Sequence, residues 1–442
     1  MGGRGAMGAR QAAGSRPGVR LLTELMRREW SGMKLGLARF RDLLAALDHP
    51  EARTPAILVG GTNGKGSVAA ALASILSAAG YRTGLYSSPH LLSYRERVRV
   101  DGRAIRPAAV AAAMDVLAPA LKAHGSSFFE AMTALALVHF AREQAQVAVL
   151  EVGIGGALDA TNVVDPLVSV VVSVGLDHMD VLGPTIAHIA RDKAGIARPG
   201  RPFAIGATGP GRTELLAAAD AVGAAPLLLG ADGRYRIEEL RADGSRFAFR
   251  SDAFALTHLE LGLAGAHQVR NAACALLALG ALREFPAATG AAGVRHGLAR
   301  LHWPGRMERV APWLMVDGAH NAAGARVLAA HLRRFHGRQK VVAVTGMVAG
   351  KRPRAFARAL RGAVQAVVVT APPSARAIPA PALAAEWRST GVRARVEPDI
   401  GSALDRAYAA AGAHGLVVAC GSLYLVGEVL RLLGRRPVES IY

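Results

Sequence analysis

The chain has 442 residues, of which 51% are hydrophobic, two are cysteine, and the charged side chains sum to a formal +20. That length suits two or three domains with full cores, no apolar run nears the roughly 20 residues of a membrane span, and Cys274 and Cys420, far apart in apolar surroundings, exclude a disulfide framework or a cysteine-rich zinc site. Of the 53 basic residues only positions 34, 65, 122, 193, 340 and 351 are lysine and the arginines are scattered, which reads as compositional bias and an attraction for anionic substrates rather than a nucleic-acid surface.

Residues 1–18 are rich in Gly, Ala, Arg and Ser with no apolar signal core, so a disordered extension and a soluble, cytoplasmic protein are expected. The apolar run Ala56–Val59 then leads through Gly61-Thr62-Asn63-Gly64-Lys65-Gly66-Ser67 into a helix-like stretch, Val68–Ala79. Strand, glycine turn and helix in that order make a phosphate cradle. Glycines let backbone N–H groups converge on an anion, the helix start adds its positive end, Lys65 reaches phosphate oxygens and Ser67 offers a hydroxyl to Mg2+. The strict G-x-x-x-x-G-K-[ST] pattern is not met, since Gly66 separates Lys65 from Ser67; the bland alternative is a helix-capping turn.

Tyr86-Ser87-Ser88-Pro89-His90 closes a further strand, where a serine could complete a cation's oxygen shell or merely punctuate a turn. Ser126 or Ser127 caps a helix opening Phe128-Phe129-Glu130, whose rings by themselves read more readily as core than as a ring-stacking shelf. Val147–Leu150 delivers Glu151 to a strand's carboxyl end, where a Mg2+ ligand belongs on the same edge as a phosphate loop. Leu167–Val174 is followed by Asp177-His178, a plausible ligand or a structural histidine, and a later helix carries Asp192-Lys193, which by itself reads as an exposed, salt-bridged cation.

The stretch 231–254 alternates apolar and polar residues, as small antiparallel strands would. His267-Gln268-Val269-Arg270-Asn271 opens an alanine-rich helix. Leu301-His302-Trp303-Pro304-Gly305 breaks the pattern, Trp313–Val316 starts afresh, and Asp317-Gly318-Ala319-His320-Asn321 follows it. Short apolar runs at Val341–Val344, Ala366–Val369 and Leu416–Ala419 complete a second unit. The expected division is a phosphate-binding domain over 19–303 and a smaller α/β domain over 304–442.

In this order, Gly61–Ser67, Tyr86–Leu91, Phe128–Glu130, Glu151–Asn162, Asp177-His178, Lys193–Ile196, His267–Asn271, Pro304–Arg306, Asp317–Asn321 and Gly421–Gly427 resemble the folylpolyglutamate synthase and dihydrofolate synthase family, relatives of the Mur amide ligases. The resemblance spans about residues 33 to 428. It implies a Mur-ligase-like α/β fold: a P-loop ATPase domain with a parallel-rich sheet flanked by helices, plus a smaller Rossmann-like C-terminal domain. It also implies ATP and Mg2+ as cofactors, with dihydropteroate, reduced folates and L-glutamate as substrates of a monomer that meets no nucleic acid or membrane.

By resemblance, Thr62, Asn63, Gly64, Lys65, Gly66, Ser67, Asn271, Arg306 and Asp317 hold the nucleotide. Ser67, Ser88, Glu151, His178 and a carbamylated Lys193 hold Mg2+, and Lys65, Lys193 and His178 carry the catalysis. The folate and glutamate would meet Lys34, Leu35, Gly36, Ser127, Phe128, Phe129, Glu130, Leu158, Asp159, Ala160 and His320. Three segments depart from the family pattern: Ala157 stands where an arginine is usual, Met33-Lys34 where Ile-Asp is usual, and Gly350-Lys351-Arg352 where Asp-Lys-Asp is usual.

Overall fold

The computed structural model describes residues 17–27 and 36–442. Lys34 and Leu35, and residues 1–16 of the expected extension, lie outside the described residues. Its last two positions, however, open a helix, Pro17–Arg27, in which Gly18 is buried so closely on Met114 that an added Cβ would lie 2.6 Å from a carbonyl oxygen.

The first sheet has eight strands: β1 (Ala56–Gly60), β2 (Thr83–Tyr86), β3 (Val98–Val100), β4 (Arg103–Ala104), β5 (Val147–Glu151), β6 (Pro166–Val171), β7 (Pro202–Ile205) and β8 (Ala225–Leu228). They lie in the order β4-β3-β2-β5-β1-β6-β7-β8, with the β2–β3 and β3–β4 pairings antiparallel at one edge and the remaining pairings parallel. Helices cover both faces, so the central strands β1 and β5 are buried along all five residues and read as unbroken apolar runs. Val59 pairs with Glu151 across β1 and β5. This register sets the one carboxylate of β5 beside the end of the strand that feeds the phosphate loop.

Leu167–Val174 was expected to run as one strand, but the ladder of β6 ends at Val171. Past that point Ser173 turns to grip the loop: its carbonyl accepts from the Thr62 N–H at 2.8 Å and its hydroxyl from the Asn63 N–H at 2.9 Å.

Residues 233–261 form an antiparallel meander, β9 (Gly233–Leu240), β10 (Ser245–Ser251) and β11 (Ala255–Leu261). Alternate residues Phe247, Phe249, Leu259 and Leu261 join the core under the helix Ala266–Leu279. The third sheet contains β12 (Glu308–Ala311), β13 (Leu314–Val316), β14 (Val341–Thr345), β15 (Ala366–Val369), β16 (Arg393–Val396) and β17 (Leu416–Cys420), ordered β12-β13-β17-β14-β15-β16 with only the β12–β13 pairing antiparallel. A separate core packs on each of its faces. Both cysteines are buried and free.

Candidate active site

A cavity of about 520 Å3 opens where the carboxyl ends of the first sheet face the third. Its floor is the phosphate loop. Gly64 caps the helix Lys65–Ala78 at φ +88°, and a Cβ there would approach Asn271 Oδ1 to 2.6 Å; Gly61, at φ +140°, would press on Ser173 N at 3.1 Å. Only glycine meets both demands. Thr62 Oγ1 accepts from Gly175 N and donates to its carbonyl, and Lys65 Nζ donates to Gly61 O at 3.0 Å. Asn271, held by its bond to Gln268, therefore touches the loop from the meander-side helix.

Glu151 is buried, and its Oε2 accepts from Ser88 N at 3.0 Å. Burial raises its carboxyl pKa, opposed by Lys65, by the Ser88 N–H and by Arg306 and Arg97. Arg97, itself only 2% exposed, lies 4.9 Å over the Phe128 ring and donates to His90 Nδ1 at 3.0 Å. His178 sits at a left-handed φ of +49°, and burial together with Lys351 holds its imidazole down at about 4, so it is neutral.

Lys193 overturns the reading as an exposed cation. It is 3% exposed, and burial and the neighbouring Lys65 push its amine down to about 7 against the pull of Asp192, Asp177 and Asp159. Asp192 points elsewhere: a Cβ on Gly155 would come within 2.2 Å of its Oδ2.

The two domains meet at Asp177. Burial would raise this carboxyl, but His320, Lys351 and His178 hold it well below the usual range. Lys351 Nζ donates to its Oδ1 at 2.6 Å, Asn321 Nδ2 to its Oδ2 at 3.1 Å, and His320 Nε2 lies 3.5 Å from Oδ2. Asn321 Nδ2 also donates to Asn63 Oδ1 at 2.9 Å, which ties the C-terminal domain to the phosphate loop. Arg306 lies against Gly318, and Asp317 accepts from the Met307 and Ala319 N–H groups, at 2.9 and 2.8 Å.

Of the residues expected to meet a folate, Gly36, Ser127, Phe129, Glu130, Leu158, Asp159 and Ala160 all line the cavity. Phe128 does not: it is 1% exposed and belongs to the core beneath Arg97. Neighbouring positions on a helix point about 100° apart, so of the two rings only Phe129 can reach the opening. Glu130 and Asp159 reach the wall with their oxygens engaged. Glu130 closes a capping box with Ser127 and pairs with Arg39. Asp159 accepts from Ile154 N, Thr161 N and Thr161 Oγ1 at 3.0, 3.0 and 2.6 Å.

Residue-by-residue reading missed Arg97, whose segment Arg95-Glu96-Arg97 looks like an ordinary charged edge, and gave no role to Asp177 or Lys351, which meet only in the fold. Among the described residues no three His, Cys, Asp or Glu side chains gather as a metal cluster. Ser67, Ser88, Glu151 and His178 nevertheless line one cavity, and a buried carboxylate with hydroxyls and a neutral imidazole suits an Mg2+ that keeps phosphate and water in the rest of its shell.

Residues 59–279 match the family described as Mur ligase middle domain, and 305–423 the one described as Mur ligase, glutamate ligase domain. The dihydrofolate synthase/folylpolyglutamate synthase of Escherichia coli (strain K12) is 35% identical over 405 residues, which is 91% of this chain and 92% of that protein. Escherichia coli FolC in complex with DHPP and ADP superposes with a TM-score of 0.85 at 32% identity, over 95% of this chain and 98% of that one. A Yersinia pestis bifunctional folylpolyglutamate synthase/dihydrofolate synthase complexed with AMPPNP and Mn ion does so at 0.83 and 30%, over 95% and 98%. With that likeness running through both sheets and the cavity between them, the chain belongs to the dihydrofolate synthase/folylpolyglutamate synthase family of Mur ligases.

Proposed function

We propose that this chain joins L-glutamate to dihydropteroate and to tetrahydrofolates at the expense of ATP. The observation that carries this reading is the meeting, in one cavity, of a phosphate loop, the buried pair Glu151 and Lys193, and an apolar wall of Phe129 and Leu158. Phosphate, metal and carboxylate chemistry therefore faces a surface suited to a flat heterocycle.

A carboxylate is a poor electrophile. Its oxygen attacks the γ-phosphorus of ATP, ADP leaves, and the acyl phosphate so formed is attacked at carbon by the amine of glutamate, which has shed its proton, with phosphate as the second leaving group. Bound Mg2+, held by Ser67, Ser88, Glu151 and His178, would neutralise charge on the phosphoryl oxygens. Lys65 adds its cation there, while Asn271, Arg306 and Asp317 position the nucleotide. A lysine pushed to about 7 keeps much of its amine neutral, the form that reacts with CO2 to give a carbamate. Lys193 is read here as such a carbamate, a carboxylate-like ligand placed where Lys65 favours negative charge. Asp177 with Lys351, and Asn321 with Asn63, hold the domains together and keep water from the acyl phosphate.

Action as a monomer is part of this proposal. We divide it into a nucleotide-binding unit to about residue 303 and a glutamate-ligating unit from 304. The test is ATP-dependent incorporation of labelled glutamate with dihydropteroate and tetrahydrofolate supplied separately. Incorporation into both is expected. Activity with tetrahydrofolate alone would favour a polyglutamate-only enzyme, a reading to which Ala157 lends weight by removing a cation beside the Gly195 turn. Activity with neither would sink the folate reading.

A further inference from the structure

Beside the cavity, on the C-terminal domain, lies a second cleft, of about 570 Å3, lined by Arg326, Arg352, Arg354, Arg358 and a single acid, Glu386, beside the small residues Ala322, Pro353, Ala355 and Ala359. It sits between the helix Ala322–His336 and the helix Pro353–Leu360, which pack on each other, and it takes in the first residue of both. Some surface arginines pair with acids, as Arg82 does with Glu143, Arg191 with Glu214, Arg201 with Asp165 and Arg406 with Glu397. Arg326, Arg352, Arg354 and Arg358 are exposed, and none of the four takes part in an ion pair or side-chain hydrogen bond among the described residues. Four like charges around one concavity repel one another unless an anion lies among them.

The cleft adjoins the active cavity at two places. Ala323, Gly324 and Val327 line the cavity while Ala322 and Arg326 of the same helix line the cleft; Gly350 and Lys351 line the cavity and Arg352, the next residue, lines the cleft. The cavity must take a nucleotide, a pterin and an incoming glutamate, and the cleft is a basic surface beside it onto which the further glutamates of a long substrate would extend. A γ-linked chain carries one free α-carboxylate per residue, and guanidinium groups match carboxylates in planar, two-bond pairs.

We propose that this arginine cleft docks the γ-linked glutamyl chain of long-chain folates, one α-carboxylate to an arginine. The assignment rests on the ligase reading above. It makes the cleft a determinant of chain-length preference, separate from the residues that perform the ligation.

The experiment compares the full-length protein with the triple variant Arg326→Gln/Arg354→Gln/Arg358→Gln, using tetrahydrofolate monoglutamate and its γ-linked pentaglutamate as substrates. Three exposed carboxylate–guanidinium pairs, each worth about a two- to threefold factor, should raise KM for the pentaglutamate roughly tenfold in the variant. KM and kcat for the monoglutamate should stay at the wild-type level. The pentaglutamate difference should also shrink as salt is raised, which a structural defect would not do. An active wild type whose variant handles both substrates as the wild type does, or loses both equally, overturns the cleft while leaving the ligase. Binding of a single-stranded oligonucleotide that is lost in the variant, with no effect on the pentaglutamate, also overturns it and marks a nucleic-acid surface. A wild type inactive on both substrates removes the ligase reading and this assignment with it.

Discussion

Lys193 and Asp159 show how burial reassigns a side chain whose type is obvious from sequence. A lysine pushed to about 7 binds its proton less readily folded than unfolded. In CO2-free buffer, where Lys193 is the free amine, stability should therefore rise as pH climbs from about 7 toward the ordinary lysine value near 10.4, and lie flat below that window. Chemical unfolding across this range checks it, since Lys193→Met should remove the slope. Lys193→Ala should cut glutamate incorporation by at least about a hundredfold while the protein still unfolds cooperatively, if the carbamate proposed above acts in the transition state. Full activity in that variant would remove the carbamate from the scheme. Asp159 carries the opposite expectation. Its carboxylate holds Ile154 N, Thr161 N and Thr161 Oγ1, so Asp159→Ala should cost about 2–3 kcal/mol in denaturant unfolding by orphaning buried donors. Leu158, 48% exposed at the cavity wall, should tolerate alanine without loss of stability and change only the folate KM.

At the level of elements, what could be read in advance was what is written locally. The run Ala56–Val59, the glycine turn and the following helix lie next to one another in sequence, so the phosphate loop was legible from residue types and spacing. So was Glu151, since a buried strand ends on it. Phe128 against Phe129 was not decidable, because two adjacent aromatics carry no sign of which face meets the core. Arg97 and Lys351 depend on pairings formed by the fold: Lys351 reaches Asp177 from 174 positions away. The loop after β5 and the helix Ile186–Ala194 supply a prediction of this kind. Gly156 packs so tightly on that helix that a Cβ would lie 2.7 Å from Asp192 O and 2.9 Å from Lys193 Cα. These are backbone atoms and cannot swing aside, so Gly156→Ala must shift the segment that presents Lys193. A displacement near 1 Å at a reacting group costs on the order of a hundredfold in rate. Steady-state kinetics with the thermal midpoint measured alongside should show kcat falling far more than stability; an unchanged kcat would mean the helix adapts without moving the lysine.

For the whole molecule, the decisive arrangement is that the chain crosses between its two domains twice. The linker does so once near His302. The C-terminus then returns to the first sheet: Ala104 N donates to Glu439 O at 2.9 Å, Ile441 N to Gly102 O at 3.2 Å, Arg99 Nη2 to Val438 O at 2.9 Å, and the linker's own His302 N to Ile441 O at 3.0 Å. Ile441 is 1% exposed, and Tyr442 Oη lies 3.2 Å from Ser77 Oγ against the phosphate-loop helix. The tail extends the antiparallel edge at β4 and also covers part of the first core, so residues numbered with the second domain stabilise the first. Removing residues 438–442 forfeits one buried isoleucine, worth about 1.5–3 kcal/mol, together with several hydrogen bonds of about 1 kcal/mol each. Offset by the chain entropy released, a net loss near 3 kcal/mol is expected. For a domain of this size that lowers the melting midpoint by roughly 6–12 °C. It also leaves the linker as the single covalent crossing, so the contacts of Asp177 with Lys351 and of Asn63 with Asn321 must close the cavity against more freedom. The Michaelis constants for ATP and glutamate should then rise together, several-fold, with kcat less affected. Tyr442→Phe separates the two contributions: it keeps the ring and the strand, loses only the hydroxyl's partners, and should cost about 1 kcal/mol with wild-type Michaelis constants. A truncated protein that melts lower but binds both substrates normally would show that the tail stabilises the first domain without governing how the two close.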